Sequence, residues 1–180
     1  MSTVGAVLTT WEEFAEMDAE DGTHLELHDG EVVVVPAPKP THTFRQGELV
    51  DWFTAALKGR GKIRMELPYR PAENLQFWFA DVAYLTNEDW RALDSDDYLV
   101  YSPPLIIEVL SPSNRRSKLE QQRRAAFSGG TREFWVVDSK SRAIEVFVVG
   151  KPARIYRVGE KIPVTALPGL HFPVKELFRS

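Results

Sequence analysis

The chain has 180 residues, a formal charge of −4 at neutral pH, and no cysteine, so it contains neither a disulfide framework nor a thiolate metal site. Any metal must be held by oxygen or imidazole, ligands that suit magnesium or manganese. No basic segment followed by an apolar core opens the sequence and no apolar run nears the ~20 residues that span a bilayer, which leads us to expect a soluble, cytoplasmic protein folded as one domain over 1–180.

Taken in chain order, Trp11, Phe14 and Met17 at helical spacing, with Thr10 as cap and Glu13 three residues on, predict a first helix over 10–17. His24 to His28 alternates, Asp29-Gly30 is a favoured two-residue turn, and Glu31 to Val35 returns, which is the signature of a hairpin. Pro36, Pro38 and Pro40 end that strand. A helix is then predicted from about Phe44 to Leu57, capped by Thr43 and Gln46, with Phe44, Leu49, Trp52, Phe53, Ala56 and Leu57 as its buried face. Lys62 to Arg70, Phe79 to Leu85 and Leu105 to Leu110 read as strands, with an acidic loop over 87–97 before the last of them. A further helix is expected from Ser117, with Glu120 completing its capping box, to Gly129-Gly130. Glu133 to Asp138 is a strongly apolar strand, 143–149 and 154–158 form another strand pair, and the tail from Leu167 to Phe178 is expected to return to the core. The continuous apolar runs at 105–110 and 134–137 argue for strands covered on both faces, in the middle of an α/β sheet.

Two of these strands carry an acid among apolar neighbours, Asp81 and Glu108. An ionised carboxylate in such surroundings costs several kcal/mol, of order, unless a cation or a donor network meets it. Two of them suggest a divalent metal. The alternatives are a loop-capping or arginine-paired role for Asp81 and a structural ion pair for Glu108.

An Asp on one strand, a Glu on the next and a basic helix after it resemble the core of the PD-(D/E)XK nucleases. The runs Leu25 to Glu31, Pro36 to His42, Asp81-Val-Ala, Pro104 to Ser113, Glu133 to Asp138 and Leu167 to Leu170 occur in order along nearly the whole chain, and together they resemble the Uma-two family of restriction-endonuclease-like proteins. The resemblance implies a restriction-endonuclease-like mixed central sheet flanked by helices. It also implies a Mg2+- or Mn2+-dependent endonuclease acting on DNA, with Asp81 and Glu108 as metal-binding acids. Leu110 stands where the Glu-X-Lys form would have its lysine. In this family the next helix usually supplies the basic residue, preceded one turn earlier by an acid, yet here Lys118 falls at the acid's position and Gln122 at the lysine's.

Positions 118 and 122 share a helical face. A lysine on its flexible stem can reach the same point from the earlier position, giving a catalytic set of Asp81, Glu108, Lys118 and Gln122. Equally, the exchange is that of a catalytically inactive nuclease-fold protein acting as a binding or assembly module. A hydrolase of some other phosphate ester remains open as well. The resemblance marks His42 as a further site residue and likens Glu48 to the first-helix acid of relatives. Glu26 lies on the strand face of His24 and His28, a face that solvent alone would explain; the two histidines, ~13 Å apart on a strand, are too distant to share one ion. Arg115, Arg116 and Arg123 belong to the densest basic cluster and are candidate nucleic-acid contacts, against the plain reading of a solvated helix surface. The habits of the superfamily and the supply of aromatic residues lead us to expect a homodimer.

Overall fold

The computed structural model describes residues 8–93, 98–111 and 116–178. It contains four helices and ten strands among them: α1 (Trp11–Ala15), β1 (Thr23–His28), β2 (Glu31–Pro36), α2 (Pro40–Leu57), β3 (Lys62–Tyr69), β4 (Gln76–Leu85), α3 (Asn87–Ala92), β5 (Leu105–Val109), α4 (Arg116–Ser128), β6 (Glu133–Asp138), β7 (Ala143–Val148), β8 (Arg154–Arg157), β9 (Lys161–Pro163) and β10 (His171–Pro173). Thr10 caps α1 in the expected box with Glu13. Asp29 and Gly30 both adopt left-handed backbone, φ 50 and 83, which is what a tight turn matched to strand twist requires of its two central residues.

Eight strands form one mixed sheet in the order β2-β1-β4-β5-β6-β7-β8, with β3 on β4 as a branch; β9 and β10 pair separately. β5 and β6 are parallel and α4 connects them; the other pairings are antiparallel. On one face Leu49, Phe53 and Leu57 of α2 meet Ile63, Val82, Tyr84, Ile107 and Trp135. On the other, Ala126 of α4 joins a cluster with Trp78, Ala80, Ala83, Ile106 and Phe134. Every residue of β5 is buried, as its unbroken apolar run requires of a central strand. The C-terminal segment closes the first face as expected: Phe172 stacks on Phe53 at 5.7 Å between centroids and meets Trp52 and Trp135 edge-on.

The alternation of β4 breaks once. Trp78 and Ala80 belong to the α4-side cluster, whereas Val82 and Tyr84 belong to the α2 side. Strict alternation would put all four on one face. The break falls at Asp81, opposite Glu66, the position at which the β3·β4 register lacks a pair. Glu66 there has a φ of 48, a left-handed conformation rare in a residue with a side chain.

Four expectations from the sequence need correction. Helix α2 starts at Pro40, with Lys39 as cap and no side-chain capping bond, because a proline at the first helical position brings a preset φ and no surplus N–H. Thr43 and Gln46 are therefore helix interior, and Gln46 is fully buried. Phe44, placed on the buried face by its spacing, is 73% exposed. Helix α4 is already helical at Arg116, so Ser117 lies inside it. The acidic loop contains α3, capped by Thr86 and Asp89; 94–97 lie outside the described residues.

Because Phe172 ties the tail to three aromatic rings from α2 and β6, Phe172→Ala is expected to cost about 3–5 kcal/mol of stability, read from urea unfolding curves. A loss below ~1 kcal/mol would mean that the tail is peripheral.

Candidate active site: a groove at the break in the sheet

The start of β4 pairs with β1 through Leu27↔Phe77 and His28↔Gln76, and its end pairs with β5 through Val82, Ala83 and Tyr84. Between those stretches the two neighbours diverge. Buried amides must still find acceptors, and here carboxylates supply them: Glu26 accepts from the Phe79 N–H at 3.0 Å and Glu108 from the Asp81 N–H at 3.2 Å. The Asp81 carboxylate in turn accepts from the Val109 N–H at 2.6 Å. Asp81 and Glu108 thus come together on adjoining strands, as the sequence suggested, and both line a groove of about 1070 Å³.

Helix α4 covers one wall. Gln122 donates through Nε2 to Glu108 at 3.0 Å and to the Phe79 carbonyl at 3.2 Å. One turn earlier Lys118 places Nζ 2.9 Å from Glu26 Oε2. The lysine therefore reaches the site from position 118, but its partner is Glu26. The face of β1 that could have been solvated is closed: Glu26 and His28 are 4% and 5% exposed. His28 lies 2.8 Å from Glu26 and stacks on Trp78 at 3.6 Å and 8°.

Helix α2 supplies the opposite wall. His42 Nε2 lies 3.0 Å from Asp81 Oδ1, and Gln46, one turn on, donates from Nε2 both to Asp81 at 3.1 Å and to Glu66. One ligand atom each from His42, Glu66 and Asp81 lies within 4.8 Å of the others. Glu48 does not point inward; it is exposed and paired with Arg45 at 2.7 Å. Arg116 is largely solvent-exposed beside Glu145, and Arg123 lies over Phe147 at 4.2 Å to the ring centroid. Neither lines the groove, and Arg115 lies outside the described residues. Among the described residues, the lysine and arginine side chains that line it are Lys39, Arg45, Lys118 and Lys140.

Glu66 and Gln46 are the site residues that sequence reasoning missed. Glu66 carried the signal that identified Asp81, an acid between the apolar residues Met65 and Leu67 of a strand. Gln46 fits a cap by the same pattern that predicts a later start for α2 than Pro40.

Electrostatics separates the two buried glutamates. Burial raises the proton affinity of Glu108, and the neighbouring Asp81 charge raises it further. Burial would do the same to Glu26, but the bond to His28, the nearby His24 and the Lys118 charge outweigh it and hold Glu26 well below the usual carboxylate range. Glu66 is raised, chiefly by burial, while Asp81 raises His42 through their hydrogen bond. Glu108 and Glu66, whose charge is resisted, stand with Asp81 and His42 among oxygen and imidazole groups, a set that fits a hard divalent cation.

The model of a family described as "Putative restriction endonuclease", Uma2, matches residues 11–175. The chain belongs to the Uma2 family. Its fold is that of a crystal structure described as a "putative nuclease belonging to DUF820" from Anabaena variabilis, with a TM-score of 0.80 and 20% identity, covering 94% of this chain and 97% of that one. No curated protein matches the chain. Among its described residues, this Uma2 protein has no helix long and apolar enough to cross a membrane.

The two glutamates respond oppositely to neutralisation. Glu108 binds its proton more tightly folded than unfolded, so stability falls as pH rises from the unfolded towards the folded pKa. In chelator, Glu108→Gln is expected to raise the melting temperature at pH 8, a gain that vanishes below about pH 4. Glu26 has the depressed pKa, so its contribution is present above the unfolded pKa and is lost as pH falls through the folded one. Glu26→Gln is expected to cost about 3–5 kcal/mol at neutral pH. Thermal melts across pH check both signs.

Proposed function

We propose that the protein is a Mg2+- or Mn2+-dependent endonuclease that hydrolyses phosphodiester bonds in DNA. The observation that carries this reading is the meeting of Asp81 and Glu108 in a groove walled by Lys39, Arg45, Lys118 and Lys140. Asp81 and Glu108 would hold the cation, whose chemistry is to polarise the phosphoryl oxygen and lower the pKa of water. The Val109 amide and Gln122 fix the orientation of the two acids. Lys118, ion-paired to Glu26, serves as a source of positive charge near the scissile phosphate. The basic side chains on the groove walls contact the DNA backbone, a term that weakens with salt. The working form we propose is a cytoplasmic homodimer, for which Phe44 and Tyr98, 73% and 53% exposed, are candidate contacts.

A second reading has its own support. With Leu110 at the usual lysine position, a neutral Gln122 at Glu108 and Lys118 held by Glu26, no lysine among the described residues is ion-paired to Asp81 or Glu108. A Uma2 protein so altered fits a non-catalytic module that binds or assembles.

A nuclease assay on purified protein with Mg2+ or Mn2+ separates the two. The hydrolytic reading expects cleavage that falls about a hundredfold or more in Asp81→Ala and in Glu108→Gln, and by about a hundredfold in Lys118→Met. Cleavage that survives Asp81→Ala sinks the assignment, and DNA binding without cleavage by the wild type supports the module.

A further inference from the structure

Asp81 divides its carboxylate between two neighbourhoods. Oδ2 takes the Val109 amide beside Glu108, while Oδ1 faces His42 at 3.0 Å and Gln46 at 3.1 Å. On that second side Glu66 completes a set of two carboxylates and an imidazole, drawn from β3, β4 and α2, with ligand atoms all within 4.8 Å of one another. Nothing in the position of Glu108 is needed to build it.

An independent observation comes from Gln46. Its side chain is fully buried, and a single nitrogen serves both Glu66 and Asp81. Its Oε1 has no hydrogen-bond partner, and neither does Nδ1 of His42. Buried carbonyl oxygens are rarely left without a donor. The amide turns its donor end inward, as a pocket of carboxylates without a cation requires, and leaves its oxygen idle and available for a filled one. Once a cation takes the carboxylate lone pairs, a half-turn of the amide brings Oε1 in as a ligand and points its N–H groups away.

We propose that His42, Glu66 and Asp81, with Gln46 Oε1 as a fourth ligand, form a divalent transition-metal site distinct from the Asp81–Glu108 position and bridged to it by Asp81. Imidazole among oxygens favours Mn2+ over Mg2+, since magnesium prefers oxygen and water throughout. A carboxylate shared by two cations is a common way to set them side by side. The site follows from its own ligands and holds whether or not the protein cleaves DNA.

The test uses the full chain, stripped with chelator and titrated with MnCl2. Pulsed electron paramagnetic resonance is expected to show nitrogen coupling from one imidazole, lost in His42→Asn and kept in Glu108→Gln. Calorimetric titration should show Glu66→Gln weakening Mn2+ binding by at least about tenfold, with Mg2+ competing only at concentrations at least about tenfold higher. The wild-type nitrogen signal needs no variant, so misfolding of a mutant leaves the question decidable. Bound Mn2+ without nitrogen coupling, or affinity unchanged by Glu66→Gln yet abolished by Glu108→Gln, overturns the second site and leaves the hydrolytic reading intact. Nitrogen-coupled Mn2+ in a protein that cuts no DNA does the reverse.

Discussion

The structure of the groove depends on a short length of β4 that neither β1 nor β5 serves along the edge facing away from β3. On that edge the ladder is absent at Phe79 and Asp81, because β1 has left and β5 has not yet joined. A buried N–H without an acceptor costs ~1–3 kcal/mol, and here Glu26 and Glu108 meet that need. The same two acids are thereby fixed in direction. One set of bonds thus satisfies the backbone donors and orients Glu26 and Glu108, and the opening between the strands becomes the floor of the groove.

Helix α4 completes this arrangement through an exchange of side chains. Gln122 supplies a neutral donor to Glu108, and Lys118 gives its charge to Glu26. The two glutamates therefore lie close to one another with opposite tendencies: one resists ionisation and the other is held ionised. Environments that push neighbouring carboxyl groups apart in proton affinity are a recurring property of functional sites, although structural networks produce them as well.

Much of this was legible in the sequence, for identifiable reasons. The hairpin, the buried central strands and α4 follow from local periodicity and turn chemistry, and the two strand acids stood out because burial makes them expensive. What escaped is what the third dimension decides. Phe44 has the spacing of a core residue but stands exposed in the first turns of α2. Gln46 fits a cap on paper, while the proline at position 40 lets the helix begin a turn sooner and carries the amide inside. Glu66 reaches the groove only because both strands lose their alternation at one point, which no pattern of period two can anticipate. Arg116 and Arg123 are adjacent in sequence to the site but rotate away from it, towards Glu145 and Phe147.

The left-handed backbone at Glu66 sets chemistry against durability. A residue with a β-carbon pays ~1–2 kcal/mol to adopt that conformation, and glycine adopts it freely. A lineage under pressure only for heat tolerance would gain by installing glycine there and would forfeit the carboxylate in the same step. At position 66, therefore, backbone conformation favours glycine and only a use for the carboxylate opposes it.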